Sequence, residues 1–118
     1  MTYPSHQGMS HGSSSLPYGT LDLLVLRTLA GGPQHGYGIL LQIHDASNNL
    51  LRIEEGSLYP ALHRLATSGL LKAEWMTSEN NRRAKYYSLT AKGRRQLAEA
   101  ERNWARVAEG VSRVLRFA

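Results

Sequence analysis

The chain contains no cysteine among its 118 residues. This absence excludes disulfides, thiolate zinc sites and cysteine nucleophiles, and it is consistent with a reducing compartment. Long apolar runs are also missing, because none reaches the roughly 18 residues that a membrane-spanning helix needs. We therefore predict a cytoplasmic protein that does not associate with a membrane.

Recognisable catalytic motifs are absent as well. There is no Gly-rich phosphate loop, and Ser, His and Asp do not occur in an arrangement typical of nucleophilic catalysis. Five histidines are present, but His35, His44 and His63 follow no metal-ligand spacing and have no cysteine to support them. We predict that the protein is not an enzyme and that it uses no metal or cofactor.

The length and composition allow one small domain. The apolar fraction of 42% is enough for a modest core, and a domain of this size buries about two-thirds of its unfolded surface. Residues 1–15 are rich in Ser, Gly and His and are predicted to form a disordered tail. We expect a folded domain over residues 16–90 and a separate helix over residues 91–118.

Positive charge is concentrated in one part of the chain. The net charge is +5, and the segment from Lys72 to Arg95 contains seven basic residues against Glu74 and Glu79. Such a cluster favours a polyanionic partner, nucleic acid before an anionic membrane, although a solvated surface is the alternative.

Hydrophobic patterns predict the order helix, helix, helix, hairpin, helix. The first helix, capped by Thr20, covers LDLLVLRTLA, and the second covers GYGILLQIHDA. The segment LLRIEE is either a brief strand or an extended link. Later, LLKAEWMTSE alternates with period two and pairs with KYYSLT, while Thr90 caps a long last helix. This order predicts a mainly helical α+β fold, the winged helix-turn-helix with a two-stranded wing.

The third helix lies in the segment EGSLYPALHRLATSG and has two different faces. We expect Ser57 to cap it, Pro60 to fall in its first turn and Gly69 to end it in the left-handed conformation. The apolar stripe follows the i, i+3, i+4, i+7 pattern and consists of Leu58, Ala61, Leu62 and Leu65.

The other face of this helix suits contacts with DNA. Hydroxyl, imidazole and guanidinium groups can bond base edges and phosphates in a major groove. An ordinary solvent-exposed face is the alternative. The residues in question are Ser57, Tyr59, Pro60, His63 and Arg64.

The hairpin tip adds positive charge to this surface. Asn80 and Asn81 are followed by Arg82, Arg83 and Lys85, and cations on a protruding ribbon can bind phosphate or enter a narrow minor groove. A solubilising turn is the alternative for the tip alone. Together, the basic hairpin tip and the polar face of the third helix predict DNA binding. The alternative function is that of a winged helix that binds proteins.

The last helix carries a heptad stripe. Its members recur at spacings of three and four, which is typical of a helix that pairs with a second subunit. Packing against its own domain is the alternative. The stripe consists of Leu97, Ala100, Trp104, Val107, Val111 and Val114.

Six segments in register resemble the PadR family of bacterial transcriptional regulators. They are GTLDLLVLRTL, HGYGI, EGSLYPALHRL, GLLKAEW, RRAKYYSLT and the glycine at position 93, and they span about residues 16–117. The single C-terminal helix is similar to the smaller class of that family. The wing tip NNRR departs from the Gly-rich variants of other members.

The resemblance implies a homodimeric winged-helix repressor that binds a pseudo-palindromic operator in double-stranded DNA, with a ligand that relieves repression in many members. It implicates Tyr37 and the polar face of the third helix, and also the three wing cations. In similar small PadR proteins, a tryptophan at the place of Trp104 lines an apolar cavity between subunits that accepts planar aromatic compounds. A packed interface anchor is the alternative role for Trp104.

Overall fold

The computed structural model describes residues 16–17 and 19–117, so the tail predicted over residues 1–15 lies outside the described residues. Four helices and three strands follow the predicted order, with one short strand added after the first helix. In chain order they are α1 (Thr20–Leu29), β1 (Gln34–His35), α2 (Gly36–Ala46), α3 (Glu55–Thr67), β2 (Leu71–Thr77), β3 (Arg83–Leu89) and α4 (Ala91–Phe117).

The strands form one antiparallel sheet in the order β1-β3-β2. Strands β2 and β3, which we call the wing together with their connecting turn, pair in register from Leu71↔Leu89 to Thr77↔Arg83. Strand β1 adds two residue pairs to the other edge of β3. The predicted two-stranded wing is confirmed. Strand β1 is a third strand that was not predicted, because two residues are too short to show a period.

The core lies where the three short helices meet the base of the wing. Its fully buried side chains come from α1, α2 and α3 and include Val25, Ile39 and Leu62. The predicted apolar stripe of α3 is buried in full. In contrast, β2 buries only its first residue, Leu71. The rest of that strand is exposed on both faces, so the wing extends beyond the core.

Two helices begin differently from the prediction. Gly19 caps α1 with a positive φ of 85°, and Thr20 is already helical. Helix α3 begins three residues earlier than expected, with Glu54 instead of Ser57 as its cap residue. The Glu54 carbonyl accepts from the backbone N–H groups of Ser57 and Leu58, and Glu55 lies in the first turn, where its negative charge suits the helix dipole.

The earlier start places Pro60 inside α3 rather than in its first turn. A proline at this position leaves the carbonyl of Gly56 without its intrahelical donor. Gly56 is exposed, so water can bond that carbonyl, and the cost of the interruption is reduced.

Two predicted helix ends are confirmed. Gly69 follows α3 with a φ of 82°. Thr90 caps α4, because its Oγ1 accepts from the backbone N–H of Gly93 at 3.0 Å. The same hydroxyl lies 2.7 Å from the carbonyl oxygen of Gly69, so it links the end of α3 to the start of α4.

Helix α4 contacts α1 and β3, and it buries only Gly93 and Leu97. Beyond Leu97 most of its length is exposed. Among the described residues, no helix combines the length and apolarity that crossing a membrane requires.

Candidate nucleic-acid interface

The outer face of α3 consists of Ser57, Tyr59, Pro60 and His63. Tyr59, Pro60 and His63 are exposed, and Ser57 is half-buried. The opposite side of the helix is fixed in the core by Leu58, which is completely buried. The structure therefore brings these four predicted residues together on one solvent-facing surface of a firmly packed helix.

The Tyr59 ring packs closely against a glycine that was not predicted from the sequence to belong to the site. A Cβ atom at Gly36, the first residue of α2, would overlap the Tyr59 ring and lie 3.0 Å from its Cζ. Burial, and to a smaller extent the charge of Glu55, raises the pKa of Tyr59. Burial, and to a smaller extent the nearby Tyr59, raises the pKa of Tyr87. The Tyr59 phenol is therefore protonated at neutral pH and can donate a hydrogen bond.

The first turn of α2 presents Tyr37. Its exposed fraction is 52%. His35 caps this helix, since its Nδ1 accepts from the backbone N–H of Gly38 at 3.1 Å, and the His35 ring packs edge-on against Tyr86. Tyr37 thus belongs to a different element from the outer face of α3, with its backbone fixed by the cap.

Arg64 is the predicted α3 residue whose surroundings differ most from expectation. Its Nη1 and Nη2 each donate to a carboxylate oxygen of Asp22 in α1, both at 2.9 Å. A bidentate pair of this kind fixes the guanidinium plane. Arg64 therefore ties α3 to α1, and its role in binding guanine stays a prediction.

His44 fixes the segment that leads into α3. Its Nε2 accepts from the backbone N–H of Ile53 at 2.7 Å. Ile53 is buried, so this bond holds the extended link predicted for LLRIEE against α2. Among the described residues, no three His, Asp or Glu side chains are grouped so that they could hold a metal ion.

The wing tip is an ordered turn that displays cations. The backbone N–H of Ser78 donates to the Arg82 carbonyl at 2.7 Å, and Asn81 takes a left-handed φ of 61°. Arg82, Arg83 and Lys85 are all exposed. The wing therefore presents three positive charges near one end of a ribbon.

Trp75, which sequence reasoning did not assign to the site, contacts one of these cations. The guanidinium carbon of Arg83 lies 5.2 Å from the centre of the Trp75 ring, which is a cation–π distance. The sequence did offer a signal for this contact, namely a tryptophan in a predicted strand that is followed by a turn rich in basic residues.

The heptad stripe of α4 divides between core and solvent. Leu97 is 6% exposed and packs in the core of its own chain, because the first turns of α4 pack against the domain. Little of its side chain is left for a second subunit, and its place at the interface stays a prediction. Ala100 is half-buried. We call the remainder the α4 stripe; its exposed fractions are 47% for Trp104, 47% for Val107, 51% for Val111 and 72% for Val114.

A groove of about 460 Å³ lies between α1 and α4. Its apolar lining includes Leu23, Leu26, Trp104 and Val107, while Asn103 is among its polar residues. Trp104 therefore lies at the border between this groove and the exposed α4 stripe.

The comparisons with known proteins agree with this architecture. The sequence profile of the transcriptional regulator PadR-like family matches residues 25–99. A protein of Lysinibacillus sphaericus is 31% identical over 96 residues, which are 81% of this chain and 88% of that protein.

Solved structures of regulators share the fold. A PadR family transcriptional regulator from Eggerthella lenta is 36% identical, with a TM-score of 0.72 and coverage of 85% of each chain. A PadR-like transcriptional regulator from Bacillus cereus is 27% identical, with a TM-score of 0.73 over 85% of this chain and 95% of that one. These relatives are regulators rather than enzymes. The chain belongs to the PadR-like family of transcriptional regulators.

Proposed function

We propose that this regulator is a cytoplasmic, homodimeric repressor that binds double-stranded DNA in a sequence-specific manner. The observation that carries the proposal is the wing. Beyond Leu71, strand β2 is exposed on both faces, and the turn that follows displays Arg82, Arg83 and Lys85. A ribbon whose outer part covers no core and carries clustered cations suits contact with phosphates.

Base contacts are assigned to the outer face of α3. In a helix-turn-helix motif, the N-terminal part of the recognition helix, which is α3 in this chain, enters the major groove. Ser57 and His63 can bond base edges there, and the protonated Tyr59 phenol can donate to a phosphate. We also assign the exposed Tyr37, near the start of α2, to contacts with the DNA backbone.

Titration of labelled DNA from the upstream region of its own gene tests DNA binding. Fluorescence anisotropy across a salt series should show log K falling linearly with log salt. The Arg82→Ala/Arg83→Ala variant should reduce that slope by about 2, since each lost phosphate contact contributes about 0.9.

Arg94→Ala/Arg95→Ala is the matched control, because it removes the same charge from exposed positions outside the proposed interface. Its slope should stay close to that of the wild type. Absence of binding at low salt would favour the other candidate, a winged helix that binds proteins. Equal slopes for both double variants would contradict a specific role of the wing.

The α4 stripe supports the proposed homodimer. Four apolar side chains at heptad spacing are about half exposed or more in one chain, and a second copy would remove them from water. Two copies related by a two-fold axis present two α3 helices, which suits a pseudo-palindromic operator.

Val111→Glu tests this assembly. It places a charge in the middle of the stripe, so sedimentation should show a monomer and DNA affinity should fall. Ser112→Glu adds the same charge at the neighbouring exposed position and should leave the dimer intact. A dimeric Val111→Glu variant would contradict the assembly through α4.

The groove between α1 and α4 is the proposed effector site. Apolar lining with a few polar groups is typical of small-molecule sites, and Trp104 offers a ring on which a planar aromatic compound can stack. In a Trp75→Phe background, proflavine should quench Trp104 fluorescence in a saturable way and weaken DNA binding. Unchanged Trp104 emission would contradict this site.

A further inference from the structure

We propose that Trp75 is a positioning residue for Arg83: its indole holds the Arg83 guanidinium so that the N–H edge stays available to the DNA backbone. This inference rests on the proposed DNA-binding function and names the residue that prepares the wing for it.

The placement of Trp75 is not explained by core packing. Its side chain is 57% exposed, and it lies in the part of β2 that buries nothing. The strand register pairs Trp75 with Lys85 and Thr77 with Arg83. Residues two apart share a face of a sheet, so Trp75 shares its face with Lys85, which is directly opposite, and with Arg83, which is diagonally opposite.

The contact with Arg83 uses the face of the aromatic ring. A cation over an indole is attracted by the ring quadrupole, whereas the N–H donors of a guanidinium lie in its own plane. A stacked arginine therefore keeps its donors for carboxylate or phosphate. Arg64 is the opposite case, since Nη1 and Nη2 already bond Asp22.

Stacking also reduces the entropic cost of binding. Ordering one side chain with many rotamers at an interface costs free energy, and a side chain held in its bound arrangement beforehand avoids part of that cost. The wing turn restrains the backbone next to Arg83, because Ser78 Oγ accepts from the N–H of Arg82 at 3.3 Å. Backbone and side chain are thus both restrained at this cation.

Trp75→Leu separates positioning from charge. It keeps an apolar side chain in the strand and removes the aromatic ring, so DNA affinity should fall roughly three- to tenfold. The salt slope should stay unchanged, because the number of cations is the same. Arg83→Ala should instead lower the slope by about 0.9. Trp75→Phe keeps a weaker ring and should give an intermediate affinity.

The double variant decides whether Trp75 acts through Arg83. In an Arg83→Ala background, Trp75→Leu should have no further effect on affinity, and thermal unfolding should show that the variants remain folded. A further loss of the same size would overturn the positioning role, since Trp75 would then act independently of Arg83.

The outcomes also separate this inference from the function beneath it. Wild-type protein that binds DNA as tightly as Trp75→Leu would overturn the positioning role alone. Wild-type protein that binds no DNA would overturn the proposed function and the positioning role with it.

Discussion

Replacing Gly93 by alanine should destabilise the fold, because α4 crosses the base of the wing too closely for a side chain. A Cβ at Gly93 would overlap the carbonyl oxygen of Leu70, and it would lie 3.1 Å from the Leu70 carbonyl carbon and from Leu89 Cδ2. The obstacle is largely backbone, so it cannot rotate away. Restoring ordinary contact requires a displacement on the order of 1 Å.

That displacement would strain a local hydrogen-bond network. Thr90 donates from its backbone N–H to the Leu70 carbonyl at 3.1 Å, and Thr90 Oγ1 accepts from the Gly93 N–H at 3.0 Å. Overpacking costs about 1–3 kcal/mol, and each weakened bond adds about 1 kcal/mol. Alanine gains about 1 kcal/mol of helix propensity. The net loss should therefore be about 2–4 kcal/mol.

Urea unfolding followed by circular dichroism, at one protein concentration, measures this loss. Gly56→Ala is the control, because Gly56 lies in α3 with open space around its Cβ position, and its stability should change by no more than about 1 kcal/mol. Equal stability of Gly93→Ala and the wild type would refute the close crossing of α4 and the wing.

Three further predictions concern α3 and the residues that contact it or the segment leading into it. His44→Ala leaves the buried Ile53 N–H without its acceptor and should cost about 1–3 kcal/mol in urea unfolding, whereas the exposed neighbour change Asp45→Ala should be nearly neutral. Gly36→Ala should displace the Tyr59 ring and weaken DNA binding severalfold in anisotropy titrations, and unchanged affinity would contradict the assigned contact. The raised pKa of Tyr59 stabilises the folded state below the ordinary tyrosine pKa of about 10. This contribution to the free energy of unfolding should be lost as pH rises through the folded pKa. The Tyr59→Phe variant should show a smaller loss of stability over the same pH range.

Much of the fold could be predicted because its main elements have strong periods. The stripe of α3 recurs at helical spacing and is buried as expected. The alternation after Gly69 predicted β2 correctly. Strand β1 was missed because Gln34 and His35 show no pattern by themselves, and they become a strand only by pairing with β3.

The candidate site was predictable in part. Residue types and helical geometry identified the outer face of α3 and the wing cations, which the structure places on exposed surfaces. Long-range partners were not visible in the sequence. Arg64 pairs with Asp22, 42 residues away, and Leu97 joins a core made by distant helices.

Selection of DNA from a random library by the wild-type protein tests the central claim most directly. We expect an enriched inverted repeat whose half-sites lie about 10–10.5 base pairs apart or a multiple of that, since two α3 helices of a symmetric dimer must reach successive major grooves. A library that shows no enriched motif after several rounds would contradict sequence-specific DNA binding. A single enriched half-site would contradict the symmetric dimer.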